Sequence, residues 1–301
     1  MIHIIITSYK EPKATLRAVQ TFLDMKIKEK FKIIVVDPFP DTEQFLKKNI
    51  KSKKVEFFLD PGEGKSYALN ILFQENSTGN KDDIFILTDG DVHVSKSAVS
   101  EIMEKFKDPK IGCVTGRPVS IDNRNTKYGY WSHVVFAGID KVRKKLSRQG
   151  KFFECSGYLF AIRNSVIFDF PLEASEDAII SYLFWKKGYR VTYADKAEVY
   201  VKNPHTWDDW LNQKVRNVKG HENLDKLAPD MPRTKSLWNE VREGSLFVLK
   251  QPRNLKEFLW TIDLYRARLH LYLRAFRELK KKESYADGWR KKETPTTRTL
   301  D

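Results

Sequence analysis

The chain has 301 residues, a formal net charge of +14, 41% hydrophobic residues and two cysteines, Cys113 and Cys155. That length suits one large domain or two modest ones, and two cysteines exclude a disulfide scaffold. The positive charge predicts phosphate-rich partners, whether nucleic acid, anionic lipid or nucleotide-linked substrates, and no stretch approaches the roughly 20 apolar residues that a bilayer span needs.

Met1 is followed at once by a β-branched run, Ile2 to Thr7. The basic, apolar and cleavage regions of a signal peptide are missing there, so a cytoplasmic location is expected, at most peripheral on the membrane face. Pro12 to Leu23 has helical spacing, with Pro12 well placed at its start. Phe31 to Val36 is a second strand, closed by Asp37, and Lys54 to Leu59 a third. Gly62-Glu63-Gly64 opens a helix over Lys65 to Phe73. Ile84 to Leu87 is an apolar run typical of a strand covered on both faces. Strands alternating with helices predict a mainly parallel α/β sheet.

Beyond residue 110 the pattern changes. Gly112 to Val119 and Tyr158 to Arg163 are predicted strands, and Ala178 to Lys187 is a predicted helix stopped at Gly188. Val191 to Tyr193 and Ala197 to Val201 read as two short strands, and Trp207 to Lys219 as a helix. Asn254 to Lys282 carries apolar residues at three- and four-residue steps, a long amphipathic helix. Ser284 to Asp301 is polar and expected to fray.

The strand ends hold the chemistry. Asp89-Gly90-Asp91 closes the Ile84 strand with two carboxylates that repel each other unless a cation sits between them. Hard oxygen ligands suit Mg²⁺ or Mn²⁺, ions that also hold phosphates. Thr7-Ser8-Tyr9-Lys10-Glu11 follows the first strand, Asp37 closes the second, and the helix at Lys65 can receive a phosphate on its free amides. In an open α/β sheet all four converge on one edge. Ser175-Glu176-Asp177 suits the first turn of a helix, where carboxylates favour the dipole. His93 is first of all a surface histidine, and Cys155 a packed one among cysteines.

On these motifs, residues 2 to about 221 resemble the family 2 glycosyltransferases, inverting enzymes with the GT-A fold. The resemblance implies an α/β Rossmann-like mixed sheet. It gives a catalytic domain over 1–225, nucleotide-sugar binding to about 110 and acceptor side beyond, with a basic helical extension over 226–301. It implies that Thr7, Tyr9, Glu11, Asp37, Lys65 and Asp89 contact the nucleotide, and that Asp89 and Asp91 hold Mg²⁺ or Mn²⁺, Asp91 directly. Cys155 to Arg163 resembles the segment lining the acceptor side. Asp177 matches the catalytic base and Glu176 its positioning partner. Gln213-Lys214-Val215-Arg216 is similar to the Gln-x-x-Arg of the polysaccharide-synthase branch, so Gln213 and Arg216 are expected near the donor. That branch carries Trp next, and here the residue is Asn217, which leaves Trp207 and Trp210 as substitutes for stacking on a sugar. A later His reaches the metal in some relatives, which makes His221 a secondary candidate.

The implied activity is transfer of a sugar from a nucleotide-diphosphate donor, UDP-linked first, to a hydroxyl of a glycan or lipid-linked acceptor. A sugar-phosphate nucleotidyltransferase is the alternative, disfavoured because the first loop holds no glycine. A non-catalytic basic membrane- or nucleic-acid-binding protein is another, disfavoured by the intact acidic motifs. Between Arg266 and Lys292 ten Lys or Arg stand against three acids. The helix there is expected either to lie on an anionic membrane surface or to pack on the catalytic domain. Nucleic acid is the least favoured partner, for want of a recognition motif.

Overall fold

The computed structural model describes residues 1–232 and 245–280. The tail expected to fray over 284–301 lies outside the described residues. The strands are β1 (Ile2–Thr7), β2 (Phe31–Asp37), β3 (Val55–Leu59), β4 (Ile84–Asp89), β5 (His93–Val94), β6 (Ile111–Ser120), β7 (Leu159–Arg163) and β8 (Arg190–Val201). The helices are α1 (Pro12–Leu23), α2 (Pro40–Asn49), α3 (Lys65–Glu75), α4 (Ala98–Phe106), α5 (Lys127–Arg148), α6 (Glu176–Lys186), α7 (Trp207–Leu227), α8 (Ser245–Leu249) and α9 (Leu255–Lys280).

One eight-stranded sheet runs β3-β2-β1-β4-β7-β6-β8-β5. β3, β2, β1 and β4 are parallel, as expected of strands joined by helical crossovers. β7 then runs antiparallel to both β4 and β6. Reversal makes the sheet mixed and sends the start of β7 to the edge where β1, β2 and β4 end: Leu159 pairs with Thr88, while Thr7 pairs with Val36 and Asp89.

Both faces are covered, which explains the unbroken apolar runs. Ile2, Ile4 and Ile6 pack on one face with α1 and α4, through Val19, Phe22 and Ile102. Ile5 points to the other, against Leu69 and Phe73 of α3 and Ile180 of α6. This period of two is the geometry of a strand. A third core lies away from the sheet, where Tyr130 and Trp131 of α5 and Trp210 of α7 meet Leu264 and Leu271 of α9. Each large side chain fully buried there contributes roughly 1.5–3 kcal/mol.

Several elements differ from the sequence expectation. The two short strands predicted over 191–201 form the single β8, whose register against β6 jumps between Gly116–Ala194 and Arg117–Glu198. A side chain at Gly116 would press on the Ala197 carbonyl at 2.7 Å, so glycine allows that crossing. α2, α4 and α5 were not expected. α5 hides behind two glycines and a Val-Val pair, which lower helix propensity. Thr126 caps it nonetheless, its hydroxyl accepting from the Gly129 amide at 3.2 Å. α7 runs on through residue 225 to Leu227.

Candidate active site

The predicted edge exists. Thr7 Oγ1 donates to Asp89 Oδ1 at 3.0 Å, and Lys65 Nζ donates to the same oxygen at 2.8 Å. Lys65 Nζ also lies 2.7 Å from Glu176 Oε1. One buried ammonium thus ties the end of β4 to the first turn of α6, two segments 87 positions apart in the chain. Burial alone would lower the Lys65 pKa, but the Asp89 and Glu176 carboxylates more than reverse this and hold it above the usual lysine range. No side chain caps the first turn of α3, whose opening residue is Lys65. The first amides of a helix so opened can receive an anion.

Asp37 is buried at the end of β2, and its carboxylate accepts from the Phe39 amide at 2.8 Å and the Lys10 amide at 3.1 Å. Burial raises its pKa, and those bonds oppose the rise. Tyr9 stands edge-on to Phe39, 5.1 Å between ring centres. Glu11 is pushed up to about 7, first by burial and then by Asp89 and Asp37. Asp91 is raised well above the carboxylate range by burial, then by Asp89 and Glu11. Gly90 joins the two aspartates under tight packing: a Cβ there would meet Thr15 Oγ1 at 2.9 Å and Ser8 Cβ at 3.2 Å.

These carboxylates fit a divalent cation. Burial and the neighbouring Asp89 carboxylate disfavour charge on Asp91 and Glu11, and a cation would offset it. Among the described residues no group of three or more His, Cys, Asp or Glu side chains is placed to hold a metal ion. An ion at Asp89 and Asp91 would have to take the rest of its shell from phosphates and water, as Mg²⁺ and Mn²⁺ can.

The loop Cys155–Gly157 is fixed by three successive backbone amides. Cys155 N–H donates to Ser181 Oγ at 3.0 Å, Ser156 N–H to Thr115 Oγ1 at 3.0 Å and Gly157 N–H to Asp177 Oδ2 at 2.9 Å. The Ser175 hydroxyl donates to the other Asp177 oxygen. Asp177 is thus a placed carboxylate at the start of α6, beside Glu176 and facing the loop that enters β7.

Tyr158 lies within the Cys155–Arg163 segment that the sequence pointed to, but sequence reasoning did not single it out. Burial pushes its phenol pKa up, and Asp91, Asp89 and Asp177 add to the rise while Arg216 opposes it. Asp89 and Asp91 come from the end of β4 and the turn after it, Asp177 from α6 and Arg216 from α7, so charges from three parts of the chain act on Tyr158. Its carbonyl accepts from Thr88 Oγ1 at 2.7 Å. Tyrosine after Ser-Gly at a strand start was the available signal. Arg216 belongs to this group, and Gln213 is buried one turn earlier on α7.

Other candidates go elsewhere. His93 faces α1, 3.5 Å from Thr21 Oγ1 and close to Arg17, which with burial lowers its pKa. His221 lies 3.6 Å from Glu154. Trp210 is only 5% exposed, with Trp207 stacked at 5.7 Å and Trp131 edge-on at 5.3 Å. Its rings build the third core and are not offered to a sugar. Only the start of the Cys155–Arg163 segment lies at the site. Arg163 sits at the opposite edge, about 16 Å along the strand. There it donates to the Ile111 carbonyl at 2.7 Å and the Phe106 carbonyl at 2.8 Å. Cys155 is buried and unoxidised beside Cys113.

The family model described as "Glycosyltransferase like family 2" matches residues 2–220. The chain is 28% identical over 232 residues to poly-beta-1,6-N-acetyl-D-glucosamine synthase of Staphylococcus aureus (strain COL), across 74% of this chain and 55% of that protein. It is 26% identical over 199 residues to the probable glycosyltransferase YdaM of Bacillus subtilis (strain 168), across 62% of this chain and 44% of that protein. The chain spans about half the length of these curated relatives. Two solved structures share the fold. Mannosyltransferase PcManGT from Pyrobaculum calidifontis, in complex with GDP-Man and Mn²⁺, superposes with a TM-score of 0.57 at 15% identity, covering 92% of this chain and 80% of that one. GalNAc-T7 with UDP, GalNAc and Mn²⁺ gives 0.50 at 17%, covering 85% and 60%.

Proposed function

The chain belongs to the family 2 glycosyltransferases and has the GT-A fold, and from that footing we propose that it moves a sugar from a nucleotide-diphosphate donor, UDP-linked by preference, to a hydroxyl of a glycan or lipid-linked acceptor with inversion. The observation that carries this reading is the Lys65 bridge, which sets the donor carboxylates of β4 against the acceptor carboxylates of α6 across one ammonium.

In this reading Asp37 and Tyr9 flank the nucleoside base, and Thr7 and Glu11 shape the pocket behind it. The amides opening α3, with Lys65 and Arg216, receive the diphosphate. Arg suits bidentate phosphate contact. Asp91, with Asp89, would hold Mg²⁺ or Mn²⁺, which when bound supplies Lewis-acid charge at the departing diphosphate. Asp177 takes the proton from the acceptor hydroxyl as it attacks the anomeric carbon, and the diphosphate leaves with the bonding pair. The Gly157 amide and the Ser175 hydroxyl hold that carboxylate in place. A general base so placed is worth roughly 10²- to 10⁴-fold. Glu176 orients the acceptor once Lys65 turns to the diphosphate.

The test is calorimetric titration of nucleotide-sugars with and without Mn²⁺, followed by transfer assays on wild type, Asp91→Ala and Asp177→Asn. Asp91→Ala is expected to abolish the Mn²⁺-dependent gain in donor affinity. Asp177→Asn is expected to keep donor affinity and lose about 10²-fold or more in turnover. Equal turnover in all three proteins sinks the role assignment.

A further inference from the structure

α9 has two apolar faces, and only one packs against other described residues. Leu264, Ala267, Leu271 and Ala275 are buried against α5 and α7. Polar contacts lock that face: Glu257 pairs with Arg124 at 2.9 Å, the Trp131 indole donates to the Trp260 carbonyl at 2.7 Å, and Lys219 pairs with Glu278 at 2.5 Å. At 3.6 residues per turn the opposite side of the helix carries Leu255, Phe258, Leu259, Leu269, Leu273 and Phe276. All six are exposed, Leu255 by 73%, Leu269 by 59%, Leu259 by 54% and Leu273 by 50%. The stripe runs the length of a 26-residue helix, about 39 Å. Scattered exposed leucines are ordinary, but six large apolar side chains on one face of one helix, grouped on either side of Arg266, mark an interaction surface.

Charge decides what covers it. Lys256 is exposed beside the stripe, and Arg266 and Arg277 stand on the stripe's own face, at the helical angles of Leu273 and Leu259. The three acids of α9 are already paired: Glu257 with Arg124, Asp263 with Arg266, and Glu278 with Lys219 and Arg274. A second copy docking by the same face would set basic face against basic face, with no acid of this helix left to meet it. The stripe is also wider than a two-position coiled-coil seam, because its residues spread over about 100° of the helix, from Phe258 and Phe276 on one side to Leu259 on the other. An apolar face that carries cations complements an anionic lipid surface.

We propose that the outer face of α9 seats the protein on an anionic phospholipid surface, with Leu259, Leu269 and Leu273 entering the acyl boundary and Arg266 and Arg277 meeting the headgroups. Because α9 packs on α7, which carries Arg216, seating it brings the α7 side of the candidate site toward the lipid. Among the described residues no helix is long and apolar enough to cross a membrane.

The test is flotation of the full chain with vesicles of phosphatidylcholine alone and of phosphatidylcholine mixed with phosphatidylglycerol. Wild type is expected to float with the mixed vesicles only. Leu259→Gln/Leu269→Gln/Leu273→Gln is expected to lose more than about tenfold in partitioning. Arg266→Gln/Arg277→Gln, which disturbs no packing, is expected to lose about fivefold per arginine. Melting temperature and donor hydrolysis stay at wild-type values in both variants, which separates failure here from failure of the donor chemistry. Wild type that floats with neither vesicle overturns the proposal. So does a triple variant that binds undiminished, or a dimer in sedimentation that the triple variant disperses while no vesicle is bound.

Discussion

Replacing Lys65 by methionine keeps most of the side-chain volume and deletes the one charge shared by Asp89 and Glu176. Two carboxylates then face the site without their cation. Removing one partner of a buried pair costs about 3–5 kcal/mol. The three side chains are 12–15% exposed, so water relieves part of that and the lower figure, about 3 kcal/mol, applies. At about 2.1 cal/mol/K of unfolding entropy per residue, a 301-residue chain melting as one unit loses about 5 °C. The sign with pH follows from linkage. Once Lys65 is gone each carboxylate favours its neutral form in the folded state, so the deficit is full in mild alkali and shrinks as acid protonates them. Lys65→Met/Glu176→Gln removes one of the two stranded charges and regains about half of the loss. Circular dichroism melts at about pH 8 and about pH 5 measure all of this. A Lys65→Met shift under about 1 °C at pH 8, or a deficit equal at both pH values, refutes the reasoning.

Gly90→Ala puts a methyl 2.9 Å from Thr15 Oγ1 and 3.2 Å from Ser8 Cβ, so the loop between the two aspartates must shift. The expected cost is about 1–3 kcal/mol in denaturant unfolding, with weaker Mn²⁺-dependent donor binding, and wild-type values for both contradict it. Glu11, raised from 4.5 to about 7, keeps a proton in the folded state that the unfolded chain releases. Wild-type stability therefore falls as pH rises through that window, and Glu11→Gln gains on wild type across it, with no advantage near pH 4. A constant offset in melting temperature from acid to neutral pH rules this out.

Much of the fold was legible because it rests on local signals. β1, β2 and β4 are apolar runs, and Pro12 starts a helix where its missing N–H costs nothing. Asp37, Asp89 and Lys65 could be placed at strand ends and a helix start because these positions follow from the runs themselves. α5 was not legible, since Gly129, Gly138 and Val134-Val135 weaken its pattern and its stability comes from Trp131 and Tyr130 packing under α9.

The sequence by itself determined which residue types stand at which strand ends, and so the class of chemistry, because a short apolar strand ending in carboxylates is a local pattern. Only the tertiary structure decided that Lys65 answers to Asp89 and Glu176 together, that Tyr158 joins them, that Trp210 is core, and that among the described residues α9 keeps one apolar face uncovered. Reversal of β7 is the reason for the first two, since it folds residues 154–158 back onto the ends of β1 and β4. Periodicity counts apolar positions around a helix, but it takes the neighbouring helices to show which of them are already covered.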